Sequence, residues 1–365
     1  MNILHLYKDY HPVLGGIENH IKVLAEAQVA AGHQVAALVC SPGWRTQVET
    51  LNGVRVIKAG RLATVASMPL SLAQPVALMR ARPDIVHLHS PYPLGEITNW
   101  LTGRATATIV THHSDVVRQQ GWLRLYGPLL RRILQTTDCI IATSPRYIET
   151  SPWLRPVRQR CVVVPLGVDV AGFVPASQPR RGPPVLLFVG RLRYYKGIDT
   201  LLQALTWVPG TRLVVVGDGP MRPAWETLAR GLGLEERVDF MGDVGDSDLT
   251  QWYRQADVFV LPANARAEAF GTVLLEAMAC GLPCITTELG TGTSWIVRDG
   301  TTGIVVPPED PLAFAEAIAG LLENPDRRRS MGQAGRERVE RHFSVERMTQ
   351  GVQDVYENVL AQAGY

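Results

Sequence analysis

The sequence predicts an α/β fold with two domains, and three observations support this prediction. Short apolar runs of strand length alternate with amphipathic stretches of helix length, which is typical of βα units on a parallel sheet. The chain has 365 residues, enough for two domains of ordinary size. Residues 174–184, rich in proline, glycine and arginine, interrupt the alternation and predict a linker.

In the first half of the chain, the apolar runs predict a series of strands and a helix between the first two. The helix ends near Gly32, because glycine directly after a helix is a common cap. We expect a first domain over residues 1–174. Its predicted strands are residues 3–6, 35–40, 85–89, 108–111, 140–143 and 162–165, and its first helix is residues 17–31.

The second half repeats the pattern, with apolar runs that each end in glycine, proline or a polar residue. We expect a second domain over residues 184–344. A C-terminal helix over residues 345–365 either ends this domain or crosses back to the first. The strand-like runs are VLLFVG, RLVVVG, RVDFMG, DVFVLP and PCITT.

Composition excludes several classes of protein. Apolar residues make up 46% and charged residues 19% of the chain, and the net charge is +2, which favours a globular protein that does not bind nucleic acid. The five cysteines are scattered and odd in number, so we expect free thiols. No run reaches the roughly 18 apolar residues of a membrane span. We expect a cytoplasmic protein, neither secreted nor transmembrane.

Two glycine loops follow predicted strands. Gly15 and Gly16 precede the first helix, where backbone N–H groups and the helix dipole favour an anion, although a glycine pair also makes an ordinary turn. Gly217 and Gly219 lie in the run VVVGDGP, where glycine lets a base or phosphate approach the backbone or simply permits the turn.

A third loop combines glycine with two cations. Gly190 ends the strand at residues 185–189, and Arg191 and Lys196 follow it. Ligands of open α/β sheets bind at this carboxyl edge, and the two cations suit a diphosphate. The alternative is that both cations are solvated on the surface.

A pair of glutamates lies eight residues apart around a predicted helix, residues 272–279. Glu268 precedes the helix, whose first N–H groups attract a phosphate, and Glu276 lies within the apolar run TVLLEAMAC. Two carboxylates here can accept hydrogen bonds from sugar hydroxyls. The alternative is a pair of solvated acids near a helix start.

These motifs together resemble the family-four retaining glycosyltransferases of GT-B fold. The resemblance covers residues 15–283 and rests on GGIE, GRLRYYKG, GDGP and EAFGTVLLEAMACGLP, in that order. It implies two Rossmann-like domains facing each other across a deep cleft, with the nucleotide sugar on the second domain and the acceptor on the first. The runs THHSD and ELGTGTSW are similar to the bacterial polysaccharide and O-antigen branch of the family.

The resemblance implies a hexosyltransferase of cell-envelope polysaccharide or lipopolysaccharide synthesis. It would transfer a hexose such as mannose from a GDP- or UDP-sugar to a glycan or lipid-linked acceptor, with retention and with neither cofactor nor divalent metal. The sequence DSD at residues 246–248 precedes a predicted helix over residues 249–256, so we interpret it as the N-cap of that helix rather than as a metal ligand. The implied catalytic residues are His113, Arg191, Lys196 and Glu268, and the implied donor-binding residues are Gly15, Gly16, Gly190, Gly217, Gly219, Phe270, Gly271, Thr272 and Glu276.

Residues 116–135 form a basic amphipathic segment without acidic residues. Such a segment suits the anionic inner face of the cell membrane, and it equally suits a core helix with a solvated basic rim that Gly127-Pro128 would break. We expect the acceptor to be lipid-linked on this basis. The candidate acceptor or membrane residues of this segment are Arg118, Trp122, Arg124, Arg131 and Arg132. His89, on a predicted strand outside the segment, is a further candidate that either binds the acceptor or packs beneath it.

Two other functions fit the same architecture. A sugar-nucleotide epimerase needs a donor but no acceptor and leaves the basic segment unexplained. A non-catalytic nucleotide-sugar binding protein keeps Arg191, Lys196 and Glu276 but does not need His113. Products formed from donor alone, from donor plus acceptor, or not at all distinguish the three functions.

Overall fold

The computed structural model describes residues 1–13, 15–65, 68–116, 120–178, 180 and 182–364. The chain forms two compact units, one of residues 1–166 with 345–365 and one of residues 167–344. The division falls after Leu166, earlier than the predicted boundary at residue 174. The reason is that the N–H of Val168 donates to the carbonyl of Phe343 at 2.8 Å, which attaches the intervening segment to the second unit.

The first unit consists of βα repeats, a small hairpin and the C-terminal helix of the chain. Its N-terminal elements are β1 (Asn2–Leu6), α1 (Gly16–Ala30), β2 (Gln34–Cys40), β3 (Gln47–Leu51), β4 (Val54–Ala59), β5 (Ala63–Val65), β6 (Met68–Leu70), α2 (Ala73–Arg80), β7 (Ile85–Ser90), α3 (Pro93–Thr102), β8 (Ala107–His112), α4 (Gln120–Thr136), β9 (Cys139–Ala142), α5 (Pro145–Thr150), a 3₁₀ segment (Arg155–Arg160) and β10 (Cys161–Val163).

The second unit contains strands and helices in regular alternation, followed by two longer helices. Its elements are β11 (Val185–Val189), a 3₁₀ turn (Tyr194–Lys196), α6 (Ile198–Thr206), β12 (Arg212–Val216), α7 (Arg222–Gly231), β13 (Val238–Gly242), α8 (Asp246–Arg254), β14 (Val258–Leu261), α9 (Thr272–Ala279), β15 (Cys284–Thr287), α10 (Thr293–Ile296), β16 (Gly303–Val306), α11 (Pro311–Leu322) and α12 (Pro325–His342). The last helix, α13 (Val345–Gln362), belongs to the first unit.

Both units are built on sheets with the expected parallel pairing. The first sheet has the order β10-β9-β8-β7-β1-β2-β4-β3, in which β3 is antiparallel to β4, and the second has the order β13-β12-β11-β14-β15-β16. In each sheet the strand order reverses direction once, between β1 and β7 and between β11 and β14. Ligands of such sheets bind beside the carboxyl ends of the strands at this reversal.

Helix α4 differs from the sequence expectation, because it continues through Gly127 and Pro128 instead of breaking there. Its inward side chains Leu130, Ile133 and Leu134 are buried, so packing overrides the local cost of an internal proline. Among the helices that the structure describes, none is long and apolar enough to span a membrane.

Candidate active site

The strand order of the second unit explains why Lys196 and Glu268 meet. Lys196 lies on the loop after β11 and Glu268 on the loop after β14, and these two strands are direct neighbours in the sheet. The Lys196 Nζ atom donates to Glu268 Oε2 at 2.5 Å, with side chains only 9% and 10% exposed. Burial alone lowers the pKa of Lys196, but the Glu268 carboxylate and the Tyr195 side chain raise it above its usual value. Lys196 is therefore a fixed cation at physiological pH.

The glycines of the loops after β11 and β12 allow close contacts with Lys196 and between the two loop backbones. Gly190 has φ 147°, and a Cβ placed there would lie 3.3 Å from Lys196 Nζ. A Cβ on Gly217 would lie 2.3 Å from the Gly190 carbonyl oxygen, and one on Gly219 would lie 2.5 Å from the carbonyl oxygen of Leu192. The three glycines thus have a packing reason of their own, since they allow the loops after β11 and β12 to touch.

The N-terminus of α9 lies directly after Glu268. Gly271 caps the helix with φ 82°, which favours glycine, and Thr272 is its first residue. The Thr291 hydroxyl donates to the Glu268 carbonyl at 2.9 Å, and the Gly292 N–H donates to the Ala269 carbonyl at 2.7 Å. These bonds hold the segment before the helix, so its positive end is presented from rigid backbone.

A buried tyrosine holds the second glutamate. The Tyr253 hydroxyl, on α8, donates to Glu276 Oε2 at 2.6 Å, and the Tyr253 side chain is fully buried. Burial, together with the Glu276 carboxylate, raises the pKa of Tyr253 well above its usual value, so the phenol remains a donor. The carboxylate of Glu276 is thereby fixed in orientation on one side of α9.

In the first unit, a cluster of buried histidines lies on one face of the sheet. The register pairs His5 with His87 and His89 with Thr111, and His113 follows two residues later. Side chains two residues apart on a strand share a face, so these groups all point toward the same layer. His20 and Gln28 reach the cluster from α1, and Tyr356 reaches it from α13.

Burial keeps the clustered imidazoles neutral. It lowers the pKa of His5 to about 4 and that of His20 to about 3. Burial also lowers the pKa of His87, His89 and His113 well below the usual value, and neighbouring histidines add to this effect. A neutral imidazole has one donor and one acceptor nitrogen, so its hydrogen bonds define its tautomer.

The hydrogen bonds of the cluster fix the tautomer of His113. His5 Nε2 lies 2.7 Å from Oε1 of the Gln28 side chain. This oxygen can only accept, so His5 Nε2 carries the proton and His5 Nδ1 is an acceptor. His89 Nε2 donates to that atom at 3.0 Å, and His89 Nδ1 therefore accepts from His113 Nε2 at 3.0 Å. The Nδ1 atom of His113 is left as the acceptor of its ring.

The same chain continues on the other side of Gln28. The side-chain Nε2 of Gln28 donates to the Tyr356 hydroxyl at 3.2 Å. This hydroxyl in turn donates to His87 Nδ1 at 2.6 Å. His87 Nε2 then donates to the Thr111 hydroxyl at 2.6 Å. Every donor in the chain points the same way, so all members favour one arrangement of protons.

His20 is the exception within the cluster. Its side chain packs edge-on against His113, with ring centroids 5.1 Å apart, and against His89 at 5.7 Å. Both of its ring nitrogens are buried without a hydrogen-bond partner among the described residues. A buried polar group in this state is rare and calls for an explanation.

Comparison with known proteins relates this architecture to an enzyme family. The profile described as "Glycosyltransferase Family 4" matches residues 14–171, and that described as "Glycosyl transferases group 1" matches residues 173–338. A D-rhamnosyltransferase of Pseudomonas aeruginosa is 38% identical over 94% of this chain and 93% of its own. The chain belongs to the glycosyltransferases.

Other relatives of this glycosyltransferase agree with that assignment. The O-antigen chain mannosyltransferase C of Escherichia coli is 34% identical over 99% of each chain. The structure of sucrose-phosphate synthase from Thermosynechococcus elongatus superposes with a TM-score of 0.84 at 26% identity and 99% coverage of each chain. The predicted family and the α/β fold with two Rossmann-like units are therefore confirmed.

The structure of the glycosyltransferase brings together most of the site residues predicted for its second unit. Lys196 and Glu268 form an ion pair, and Phe270 to Thr272 lead into α9. Arg191 is exposed on the same loop as Lys196. The predicted N-cap at residues 246–248 is wrong, because Gly245 is the cap and α8 already begins at Asp246.

The predictions for the first unit of the glycosyltransferase have more varied outcomes. Gly16 begins α1, and a Cβ placed there would meet nothing within 4 Å. His113 is 5% exposed, whereas His89 is fully buried between His5 and His113. Of the two alternatives for His89, the structure therefore supports packing beneath the surface rather than contact with an acceptor.

The basic segment of the glycosyltransferase is only partly described. Arg118 and the side chain of Trp122 lie outside the described residues. Arg124, Arg131 and Arg132 are exposed on α4, and the Arg131 guanidinium lies 5.6 Å from the centre of the Trp153 ring.

Sequence reasoning missed several residues of both sites of the glycosyltransferase. Tyr253 lies 23 residues before its partner Glu276, and Tyr356 lies 269 residues after His87. The one available signal was the pair His87 and His89, whose spacing on a predicted strand places both rings on one face.

Proposed function

We propose that the protein is a retaining, metal-independent hexosyltransferase. It transfers a sugar from a nucleoside diphosphate donor to a glycan or lipid-linked acceptor of the cell envelope. The observation that carries this proposal is the buried Lys196–Glu268 pair beside the N-terminus of α9, which combines a cation, a carboxylate and a helix dipole. Relatives named as rhamnosyl- and O-antigen mannosyltransferases support the choice of reaction.

In this proposal, the second unit stabilises the leaving diphosphate. Lys196 acts as a point charge and Arg191 as a planar fork of donors, and the first N–H groups of α9 add the positive end of a helix. These charges are fixed before the donor binds, so stabilising the developing negative charge requires little reorganisation. The carboxylates of Glu268 and Glu276 accept hydrogen bonds from hydroxyls of the sugar and the ribose.

The reaction exchanges one bond of the sugar for another. The bond from the anomeric carbon to the diphosphate oxygen breaks, and a bond from the same carbon to the acceptor oxygen forms on the same face. The proton of the acceptor hydroxyl passes to the departing diphosphate. His113, whose Nδ1 accepts, orients a sugar hydroxyl and carries no charge.

The acceptor in this proposal is lipid-linked, at the inner face of the cell membrane. Helix α4 presents Arg124, Arg131 and Arg132 to solvent, and no acidic residue lies within the helix. Exposed arginines attract anionic lipid headgroups, at about 1 kcal/mol for each basic residue near the surface.

The donor test uses a panel of UDP-, GDP- and TDP-hexoses with membrane lipid extract as acceptor, with and without EDTA. Release of one nucleotide that depends on acceptor, resists EDTA and is lost in Glu268→Ala supports the proposal. Glu236→Ala, an exposed acid of the same unit, is the matched control and retains activity. Turnover of donor without acceptor indicates an epimerase or hydrolase, and donor binding without turnover indicates a binding protein.

The membrane test compares two triple variants of equal charge. Replacement of Arg124, Arg131 and Arg132 by glutamine reduces co-sedimentation with anionic vesicles in this proposal. The control replaces Arg80, Arg82 and Arg104, which are exposed on the same unit outside α4. An equal loss in both variants contradicts a specific membrane face on α4.

The anomeric configuration of the new glycosidic bond is measured by NMR of the isolated product.

A further inference from the structure

Three histidines of the first unit form a set suited to a transition metal. One ring nitrogen from each of His20, His89 and His113 lies within 4.8 Å of the others. Imidazole is a preferred ligand for zinc, cobalt, nickel and copper, and three histidines are a known ligand set for zinc. His20 lies on α1 and His89 on β7. His113 directly follows β8, and its N–H donates to the Ser90 carbonyl at 2.9 Å, which holds its backbone against β7.

The unpaired ring of His20 is a second and independent observation. Its side chain is 7% exposed, and neither nitrogen has a partner among the described residues. Leaving such a group buried and unsatisfied destabilises the fold, and an ion bound to one of its nitrogens would offset this cost. Packing alone does not account for a histidine here, since an apolar side chain would leave no buried polar atom unsatisfied.

The hydrogen-bond chain orients His89 as metal ligands are oriented. His89 Nε2 donates to His5, so its lone pair is on Nδ1, the atom that faces His113. A ligating histidine commonly donates its other ring N–H to a neighbouring acceptor, which fixes its tautomer. His113 ligates through Nε2 once the proton on that atom moves to Nδ1, so no proton is gained or lost.

A second set, His5, His87 and His89, is less suitable. Its ring nitrogens also lie within 4.8 Å of one another. However, His5 and His87 each have hydrogen bonds at both ring nitrogens, and a metal would break two or more of them. The fully unpaired ring occurs only in the set with His20, among the histidines of these two sets.

We propose that His20, His89 and His113 bind a divalent transition-metal ion such as Zn²⁺ or Co²⁺, and that the bound ion inhibits the enzyme by occupying His113. The ion enters past His20 and His113, which are 7% and 5% exposed, whereas His89 is fully buried. Metal binding stands on the histidine geometry alone. The inhibition rests on the proposed function, because it requires His113 to act in transfer.

The first test is titration of the metal-free, full-length protein with Co²⁺, read by visible absorption. Wild type is expected to bind one ion, and His20→Gln to bind at least tenfold more weakly. His33→Gln is the matched control and binds like wild type, because His33 lies outside the set and bonds to Gln353 at 3.0 Å. Equal affinity of wild type and His20→Gln overturns the proposal.

The His20 variant is a suitable probe because its ring nitrogens have no partner to lose. Circular dichroism checks that the variant is folded. X-ray absorption at the zinc edge of wild type gives a second measurement that needs no variant. Three imidazole nitrogens at about 2.0–2.1 Å from zinc are expected. A first shell made mainly of oxygen contradicts the site.

The inhibition has its own test. Zn²⁺ is expected to reduce sugar transfer by wild type at least tenfold, with recovery on addition of EDTA, and to affect His20→Gln much less. Equal inhibition of both proteins, or zinc binding without inhibition, overturns this part. If Co²⁺ binds at the site but no transfer occurs with any donor or acceptor, the proposed function is contradicted and the metal site is supported.

Discussion

The two units share a sheet architecture but present opposite kinds of chemistry at the reversal of strand order. In the second unit, Lys196 and Glu268 form a buried pair of full charges, and Arg191 is exposed on the same loop as Lys196. In the first unit, the polar groups are neutral imidazoles, joined by hydrogen bonds that all run in one direction. The same fold therefore supports either fixed charge or fixed tautomer, depending on which side chains follow the strands.

This difference matches the different needs of the two groups in a transfer reaction, the departing diphosphate and a sugar hydroxyl. A departing diphosphate carries negative charge, which cations and a helix terminus stabilise. A sugar hydroxyl carries no charge and needs an acceptor atom in a defined position. In the proposed function, the neutral His113, with its proton on Nε2, supplies such an acceptor at Nδ1.

The largest expected effect is that of breaking the charged pair. Lys196→Met leaves the Glu268 carboxylate buried and unpaired, so the free energy of unfolding falls by about 3–5 kcal/mol. Sugar transfer falls about 10²–10³-fold, because one fixed cation is lost. Denaturant unfolding and initial rates of transfer measure the two effects.

The double variant Lys196→Met, Glu268→Met separates these effects. It is expected to regain stability, since no lone charge remains, but not activity. Arg212→Met is the control for a surface pair, because Arg212 and Asp239 are 52% and 40% exposed. It changes stability by about 0–1 kcal/mol. A double variant as unstable as Lys196→Met would contradict the account of the pair.

Acid is expected to destabilise the first unit selectively. The pKa of His5 is lowered from 6.5 to about 4 and that of His20 to about 3, so the unfolded chain takes up protons first as pH falls. Their contribution to stability is complete above pH 6.5 and is lost as pH falls from there toward these values. The cost is about 1.4 kcal/mol per pH unit for each histidine.

Urea unfolding in EDTA at neutral and mildly acidic pH measures this effect, with the transition of the second unit as an internal reference. His5→Gln is expected to show a weaker dependence on pH. If the urea unfolding transitions of both units shift equally with pH, the imidazoles of the first unit are not the cause of the pH dependence.

The hydroxyl of Tyr356 is expected to contribute a smaller amount. Tyr356→Phe leaves the Gln28 amide and His87 Nδ1 without a partner, so stability falls by about 1–3 kcal/mol. Tyr10→Phe is the matched control, because the Tyr10 hydroxyl is buried without a partner among the described residues. Loss of the Tyr10 hydroxyl is expected to leave the free energy of unfolding unchanged or higher. Thermal unfolding compares the two variants, and equal destabilisation speaks against the hydrogen-bond chain.

The smallest expected effect is on donor affinity. Tyr253→Phe removes the hydrogen bond that orients Glu276, so KM for the donor rises about fivefold, which corresponds to ~1 kcal/mol, while kcat is unchanged. Steady-state kinetics with the donor found in the panel test this. A fall in kcat with constant KM would place Glu276 in the chemical step instead of in binding.

Local structure followed closely from the sequence where apolar runs were long. Strand β11 (Val185–Val189) and helix α9 (Thr272–Ala279) have the predicted bounds, because each is a dense apolar segment with glycine or proline near each end. The antiparallel edge strand β3 (Gln47–Leu51) was missed, since its residues are mostly exposed and show no apolar run. Strand β16 (Gly303–Val306) was also missed.

The second-unit site was largely predictable because its motifs are local in sequence. Gly190, Arg191 and Lys196 lie on one loop, and Glu268 and Glu276 flank one helix start. The histidine cluster was not predictable, since its members come from β1, α1, β7 and β8 and its hydrogen bonds extend to Tyr356. Single-sequence patterns carry no information on such long-range pairs.

Helix α13 follows the whole second unit in the sequence yet supplies Tyr356 to the first. During synthesis from the N-terminus, residues 167–344 therefore leave the ribosome before the first unit can complete its core. Until α13 emerges, Gln28 and His87 lack their tyrosine partner. Completion of the histidine cluster thus waits for α13, although most of the first unit is translated before the second.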